Sequence, residues 1–192
     1  MSRTPAKDTM RERILETTDR LFYRQGIRTV GVDTIAAEVG ISKRTLYNYF
    51  PSKDALIAAY LSRRSVPLAV SDKPPDSQIL GVFDRLERSF SGKGFRGCPF
   101  VNAVAELGEP AHAAKRIAID FKQGRRGFFH DLLKRLQVAD ADGLATHLAL
   151  LVDGAIAAAL VQGDPTVARA AKDAARALLR AAGVPVSADA TA

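Results

Sequence analysis

The 192-residue sequence has little of the chemistry that marks secreted proteins or metalloenzymes. It holds one cysteine, Cys98, so no disulfide can form within the chain, and a reducing compartment, the cytoplasm, is expected. Its three histidines lack the spacing of a metal site, and no phosphate-binding glycine loop is present. We therefore expect neither an enzyme nor a bound metal or cofactor.

Strands and export signals are also missing from the pattern. Alternating runs of β-branched residues are absent while alanine and leucine dominate, which predicts an all-α fold. The amino-terminal segment is polar and no apolar run follows it, so a secretion signal is not expected. Residues 144–161 are apolar enough to suggest a membrane span, but His147 and Asp153 interrupt them. Placing an ionisable residue near the centre of a bilayer costs much free energy. We expect a buried helix there.

What the chain does have is a sizeable apolar fraction and an uneven charge. Its 47% of hydrophobic residues suffices for a folded core. Residues 1–64 hold 12 Lys and Arg against 7 Asp and Glu, a net charge of +5, whereas the longer remainder has a net charge of +2. The excess of positive charge in the first third indicates an anionic partner for that part.

Helical spacing and capping residues divide the first third into four helices. The apolar periodicity predicts a helix over 7–25, a second over 32–39 and a third over 43–50, with a fourth capped by Ser52. Gly31 occupies the N-cap position of the second helix, and Gly40 supplies the left-handed residue that ends it. Ser42 caps the third helix, which ends before Pro51.

The second and third predicted helices have the arrangement of a helix-turn-helix. Their apolar residues can face a small core, which leaves a basic and polar face on the third helix. Lys and Arg pair with phosphate or guanine edges, Asn pairs with adenine, and tyrosine hydroxyls can donate to phosphate. These properties are typical of a recognition helix that enters the major groove of DNA. The alternative is a structural helix pair whose basic face is only solvated.

The segment TVGVDTIAAEVGISKRTLYNYFPSKDALIAAYL (29–61) resembles the DNA-binding signature of the TetR family of bacterial transcriptional regulators. The shared motifs are an Ile-Ala pair in the second helix, Gly-Ile-Ser in the turn, Thr-Leu-Tyr-x-x-Phe in the third helix and Ser-Lys before the fourth. They stand here as Ile35-Ala36, Gly40-Ile41-Ser42, Thr45-Leu46-Tyr47, Phe50 and Ser52-Lys53. Two positions depart from the pattern: Gly31 replaces the usual Ser or Thr cap, and Tyr49 stands where His is most frequent.

The resemblance implies a role for each polar residue of this segment. It implies that Tyr47, Tyr49 and Lys53 bind phosphates, with Thr34 as a weaker candidate. Ser42 would cap the helix and touch the DNA backbone. The residues implied to reach base edges are Lys43, Arg44, Thr45 and Asn48. The family further implies a homodimeric repressor in the cytoplasm, which binds a palindromic operator and is released by a small-molecule effector.

The rest of the chain is expected to be a larger helical domain, and the resemblance implies that this domain binds the effector and dimerises. We divide the sequence into a helix-turn-helix domain over 1–64, with the motif itself at 32–50, a second domain over 65–183, and a disordered tail over 184–192. Helices are predicted after Pro99, over 110–138, over 144–161 and after Pro165. The resemblance implies that the last two helices pair with their copies through residues 142–182. Gly124 and Gly127 fall inside the helix over 110–138, where a bend or a close contact would explain them.

Several apolar and polar residues of this second domain are candidates for an effector cavity, although each also suits an ordinary core. They are Phe83, Phe90, Cys98, Phe100, Asn102, Phe121, Phe128 and His147. Cys98 also supports an alternative function. It precedes a predicted helix and lies beside Arg96, and these surroundings favour a reactive thiolate. The alternative is a regulator that senses oxidants or electrophiles through this thiol. A third alternative is a helical interaction protein that uses the helix-turn-helix for protein contacts.

Overall fold

The computed structural model describes residues 5–108 and 113–186. Within these ranges all regular secondary structure is helical, as predicted. The helices are α1 (Pro5–Gln25), α2 (Val32–Val39), α3 (Lys43–Tyr49), α4 (Lys53–Arg64), α5 (Pro75–Phe90), α6 (Pro99–Leu107), α7 (Ala113–Arg135), α8 (Ala141–Gln162) and α9 (Val167–Ala181). The predicted all-α class, with an amino-terminal helix-turn-helix and a larger helical part, is confirmed.

The chain forms two compact units, and it crosses between them after Val66, after Gly97 and after Asp120. The first unit therefore contains α1 to α4 together with α6 and the first turns of α7. The second contains α5, the rest of α7, α8 and α9. The contacts thus group α6 with the amino-terminal helices, whereas the functional division at 64–65 stays a prediction.

An apolar core holds the helices of the first unit together. Leu46 of α3 and Ile35 of α2 are both fully buried, as the spacing predicted, and Phe22 of α1 meets the ring of Tyr60 edge-on at 5.6 Å between centroids. Other large buried side chains of the four-helix region include Ile14, Leu21, Val39, Phe50, Leu56, Ile57 and Leu61. This packing stabilises α3, because a helix of seven residues is too short to be stable by itself.

The last turn of α4 is tied to α1 by charged pairs. Arg64 donates to both carboxylate oxygens of Asp19, at 2.5 and 2.8 Å, and its guanidinium lies 4.1 Å from the ring centre of Tyr23. Neighbouring Arg63 donates to Glu12. Two-pronged arginine–carboxylate pairs are among the stronger charged contacts, so this pair helps to hold the end of α4 against α1.

The second unit has its own core between α5, α7, α8 and α9. Ile79, Phe83, Phe129, Leu132 and Leu148 are buried at its centre, and α5 packs against both α8 and α9. A smaller cluster around Phe90 includes three alanines, which are Ala155, Ala159 and Ala168. Small side chains let α8 and α9 approach each other closely, as their alanine-rich sequences predicted.

α8 buries one face in the second unit, as expected for the helix over 144–161, and leaves its other face exposed in the single chain. Leu150 is 61% exposed and Val161 is 85% exposed. Among the described residues, α8 alone has the length and mean hydropathy, 1.9, of a possible membrane span, and a third of its most apolar window is buried. Its Asp153 is held by two cationic side chains, a setting that membrane lipid would not supply.

The structure departs from the predicted boundaries at several points. Helix α1 begins at Pro5 and α3 ends at Tyr49, and α7 is described from Ala113 because residues 110–112 lie outside the described ranges. Of the two explanations expected for Gly124 and Gly127, a bend or a close contact, the close contact is absent, since an added Cβ at either would meet nothing within 4 Å.

The predicted disordered tail begins too early. Val184 is 4% exposed and donates its N–H to the carbonyl of Leu179 at 3.0 Å, so the chain still belongs to the core there. The physical reason is the left-handed turn at Gly183, which folds Val184 back over the end of α9. Residues 187–192 of the predicted tail lie outside the described residues.

Candidate nucleic-acid interface

The turn between α2 and α3 is fixed by backbone geometry. Gly40 has a φ of 76°, in the left-handed region that glycine adopts without strain. Its N–H donates to the carbonyl of Ala37 at 3.0 Å, and the N–H of Ile41 donates to that of Ala36 at 2.9 Å. These bonds end α2 and redirect the chain, so only the three residues 40–42 separate α2 from α3.

Ser42 begins α3 with a side-chain cap. Its hydroxyl oxygen accepts from the N–H of Thr45 at 3.0 Å and lies 2.8 Å from the hydroxyl of Thr45. Leu46 and Phe50 are buried on the inner side of the helix. The cap and these two anchors fix both the position and the rotation of α3, so the side chains between them must point outward.

The outward side of α3 carries the polar residues that the sequence predicted. Lys43, Arg44, Tyr47 and Asn48 are exposed, and Thr45 and Tyr49 are half-buried beside them. Seven helical residues span roughly 11 Å, close to the width of the major groove of B-DNA. The face therefore combines cationic groups for phosphate, an amide for adenine and phenolic hydroxyls on an element of the right width.

Lys43 is already paired within the helix-turn-helix. Its ammonium donates to Asp33 of α2 at 3.0 Å, and both side chains are exposed. The hydrogen bond to Asp33, with the attraction of that carboxylate, raises the pKa of Lys43 above its ordinary value. DNA must compete with Asp33 for this lysine, so the carboxylate tempers the attraction of α3 for any phosphate.

Two predicted phosphate contacts lie outside α3. Thr34 is exposed in the first turn of α2, as a phosphate ligand must be. Lys53 starts α4, where Ser52 caps the helix by accepting from the N–H of Ala55 at 3.0 Å. The Lys53 ammonium lies 5.9 Å from the ring centre of Phe22, and burial lowers its pKa. Its stem packs on the core while the positive end of the helix dipole adds to its charge.

Glu106 of α6 is a structural residue of this unit that the sequence did not reveal. Its carboxylate accepts from the backbone N–H of Arg28 at 3.0 Å, in the connection between α1 and α2. It also lies against Gly26, whose φ is 95° and where an added Cβ would come within 3.0 Å of the carboxylate. The glycine was visible as a helix end, but its partner stands 80 residues away and no spacing rule connects the two.

The candidate effector residues fall in different parts of the molecule. Cys98, Phe100 and Asn102 belong to the first unit at the start of α6, where Cys98 is the N-cap residue and is buried. Phe83 and Phe128 are part of the main core of the second unit, and Phe90 belongs to its smaller cluster. Of the other two candidates in that unit, Phe121 is half-buried and His147 is exposed.

His147 lies on an apolar groove of α8 and α9. The groove has a volume of about 600 Å³ and opens to the surface of the second unit. Its lining is almost wholly aliphatic: Leu150, Leu151, Gly154, Ala155, Ala158, Val167, Ala170, Ala171 and Leu178. A groove with His147 as its one polar lining side chain suits another apolar protein surface better than a polar ligand.

The described residues contain no group of three or more His, Cys, Asp or Glu that could hold a metal ion. His130 and Asp131, which are sequence neighbours on α7, contact each other at 3.3 Å between Nδ1 and Oδ1. The pair lies on the surface of the second unit, where the side chain of Asp131 is 73% exposed.

Known proteins match both the helix-turn-helix and the whole fold. The family model "Bacterial regulatory proteins, tetR family" matches residues 14–60. A TetR-family transcriptional regulator of Streptomyces coelicolor, SCO4454, is 34% identical, with a TM-score of 0.84 over 91% of this chain and 96% of its own. A candidate TetR regulator of Streptomyces avermitilis is 36% identical, with a TM-score of 0.81 over 91% of this chain and 98% of its own. The Escherichia coli HTH-type transcriptional regulator YjdC is 26% identical over 160 residues, which are 79% of this chain and 83% of YjdC.

Proposed function

The chain belongs to the TetR family of bacterial transcriptional regulators, and on this premise we propose that it is a homodimeric repressor released from its operator by a small effector. Family membership makes it a transcriptional regulator with a DNA-binding helix-turn-helix. The observation that carries the proposal is the outward face of α3, which is polar, basic and held in place by a cap and two buried anchors. The cytoplasm, where the chromosome is accessible, is the proposed location.

The roles on DNA follow from the position of each side chain on the helix-turn-helix. Arg44 and Asn48 project from the exposed side of α3, and we assign them to base edges together with Lys43 and Thr45. Phosphate binding is assigned to side chains at the margins of that face. These are Thr34, Ser42, Tyr47, Tyr49 and Lys53.

A dimer supplies the affinity that one short helix lacks. A single α3 can contact only a few base pairs, whereas two copies related by a twofold axis add their contacts on a palindromic site. The apolar groove of α8 and α9, with Leu150 exposed at its rim, is the surface we assign to dimerisation. It falls within residues 142–182, and its aliphatic lining matches the apolar core of a homodimer interface.

Release by an effector requires that the ligand favour one separation of the two reading helices over another. Its effect is limited by the difference between its affinities for the two states. The thiol-sensing alternative gains no support from accessibility, because Cys98 is only 8% exposed and packs as a small apolar side chain.

Selection of bound sequences from randomised duplex DNA at fixed, near-physiological salt tests the proposal. We expect one palindromic consensus, whose half-sites are bound by two copies of the chain. Binding without any consensus, which merely fades as salt rises, would leave only attraction to phosphate and would overturn the proposed operator. Loss of binding at every salt concentration would favour the interaction protein instead.

A further inference from the structure

Arg125 of α7 is the most deeply buried charged side chain among the described residues, and neither DNA binding nor dimerisation uses it. It is 8% exposed and lies in the second unit, with its guanidinium carbon 5.8 Å from the ring centre of Phe121. A charge that has been removed from water needs compensation by ion pairs and hydrogen bonds. The contacts of Arg125 provide only part of it.

Two cations share a single carboxylate oxygen at this place. The ammonium of Lys122 donates to Oδ1 of Asp153 at 2.5 Å, and the terminal guanidinium nitrogen of Arg125 donates to the same atom. The Nε of Arg125 is buried and has no hydrogen-bond partner. The three side chains together carry a net charge of +1 and a donor that nothing satisfies.

Neighbouring charges do not correct this imbalance. Arg126, the next cation along α7, donates to Asp142 at 2.5 Å and to the hydroxyl of Thr146 at 3.2 Å, so it has acceptors of its own. Asp153 is therefore the one carboxylate that the described contacts give to Lys122 and Arg125. A bound monoanion would bring the cluster to neutrality, whereas a dianion such as phosphate would exceed it.

From this geometry we propose that Lys122 and Arg125, beside Asp153, form a binding site for an organic carboxylate. The carboxylate accepts from the Lys122 ammonium and the Arg125 guanidinium, while the ring of Phe121 contacts the apolar part of the ligand. Lys122 and Asp153 are 26% and 37% exposed, so solvent reaches the site on their side. The assignment rests on the proposed function in one respect, because it names this carboxylate as the chemical class of the effector.

Matched ligands and one variant pair test the site. Benzoate and octanoate serve as probes, each compared with its uncharged primary amide at equal concentration, by thermal melting and by titration calorimetry. We expect at least one carboxylate to bind and raise the melting temperature while its amide does not. Lys122→Gln should weaken that binding about tenfold, the effect of losing one charge-assisted hydrogen bond. Lys134→Gln, which removes an exposed lysine from the last turn of the same helix, should leave it unchanged.

Equal melting shifts with acid and amide, no shift with either carboxylate, or equal losses in the two lysine variants would overturn the site. The complex with the selected operator gives a separate readout. Carboxylate binding that releases the DNA supports the effector role, and binding that leaves the complex intact contradicts that role. Failure to bind any DNA would overturn the proposed function alone, since melting and calorimetry measure the carboxylate site without DNA.

Discussion

Two helix pairs, α2–α3 and α8–α9, each bury one face in their own unit and expose the other, but what they expose differs. The outer side of α3 presents Lys43, Arg44 and Asn48, whereas the outer side of α8 presents Leu150 and Val161. Exposed polar groups keep their water until an equally polar partner replaces it, and a row of exposed aliphatic groups gains free energy when any apolar surface covers it. The first pair therefore suits a hydrated polyanion, and we propose a protein surface as the partner of the second.

The comparison also separates two ways of fixing a surface. α3 is short and gains its position from Leu46, Phe50 and the Ser42 cap. α8 is 22 residues long, and the packing of its buried face is enough to stabilise it. Its exposed leucines are therefore not required for its helical form. Changes on the inner side of α3 should therefore disturb structure, while changes on the outer side of either pair should disturb binding alone.

Leu150→Glu has the largest expected effect on binding. It places a charge in the apolar groove of each copy, and we expect the dissociation constant of the dimer to rise roughly a thousandfold, as when a central interface residue is lost. Sedimentation equilibrium measures the change. Val70→Glu makes the same substitution at an apolar residue that is 53% exposed on the segment between α4 and α5 and should leave the dimer intact. Equal dissociation constants for the two variants would show that the groove is not part of the dimer interface.

Leu46→Ala tests the inner side of α3. The side chain is fully buried, so its truncation should lower the free energy of unfolding by about 3 kcal/mol and abolish operator binding. Leu46→Met conserves the volume and should cost roughly 1 kcal/mol while DNA binding survives. Chemical denaturation with a binding assay at low temperature decides this, and a fully stable Leu46→Ala protein would contradict the packing of α3.

Arg44→Ala tests the outer side of the same helix. We expect operator affinity to fall by about 2 kcal/mol and base preference to relax at one position in each half-site, with no change in unfolding. Tyr47→Phe removes only a hydroxyl assigned to phosphate, so it should weaken all sequences alike by about 1 kcal/mol. Binding to a library of single-base operator variants separates the two patterns. An Arg44→Ala protein with unchanged affinity and preference would show that the reading face is elsewhere.

Asp33→Asn has the smallest expected effect and the opposite sign. Removal of the carboxylate frees Lys43 from its exposed ion pair, so affinity for nonspecific DNA should rise about twofold. Fluorescence anisotropy over a salt series measures it. If the effect acts through Lys43, Asp33→Asn should bring no gain in affinity when it is added to Lys43→Gln. A double variant that binds DNA more tightly than Lys43→Gln alone would show that Asp33 acts by general repulsion of DNA.

Local signals in the sequence were enough to predict the helix-turn-helix. Gly40, Ser42 and Ser52 act through hydrogen bonds within three or four residues, so their roles could be read directly from spacing. The inner and outer sides of α3 likewise follow from helical periodicity, and Leu46 is buried as expected.

Contacts between distant parts of the chain were beyond such rules. Lys122 and Arg125 read as ordinary exposed charges on α7, and only the fold brings Asp153 of α8 to them. Glu106 reaches Arg28 in the same way, and Val184 looked like part of a polar tail until Gly183 turned it onto the core. Which side of α8 stays exposed in the single chain could not be predicted, because an apolar helix has the same composition whether its own chain or another covers it.

The most direct test of the central claim, that α8–α9 pairs two copies so that two α3 helices read DNA together, is a hydroxyl-radical footprint on the selected operator. The account predicts two symmetric protected patches on one side of the duplex, with half-site centres roughly 10 base pairs or a multiple of that apart. Both patches should weaken together in Leu150→Glu. A single protected patch, or two patches that persist in Leu150→Glu at the same protein concentration, would contradict it.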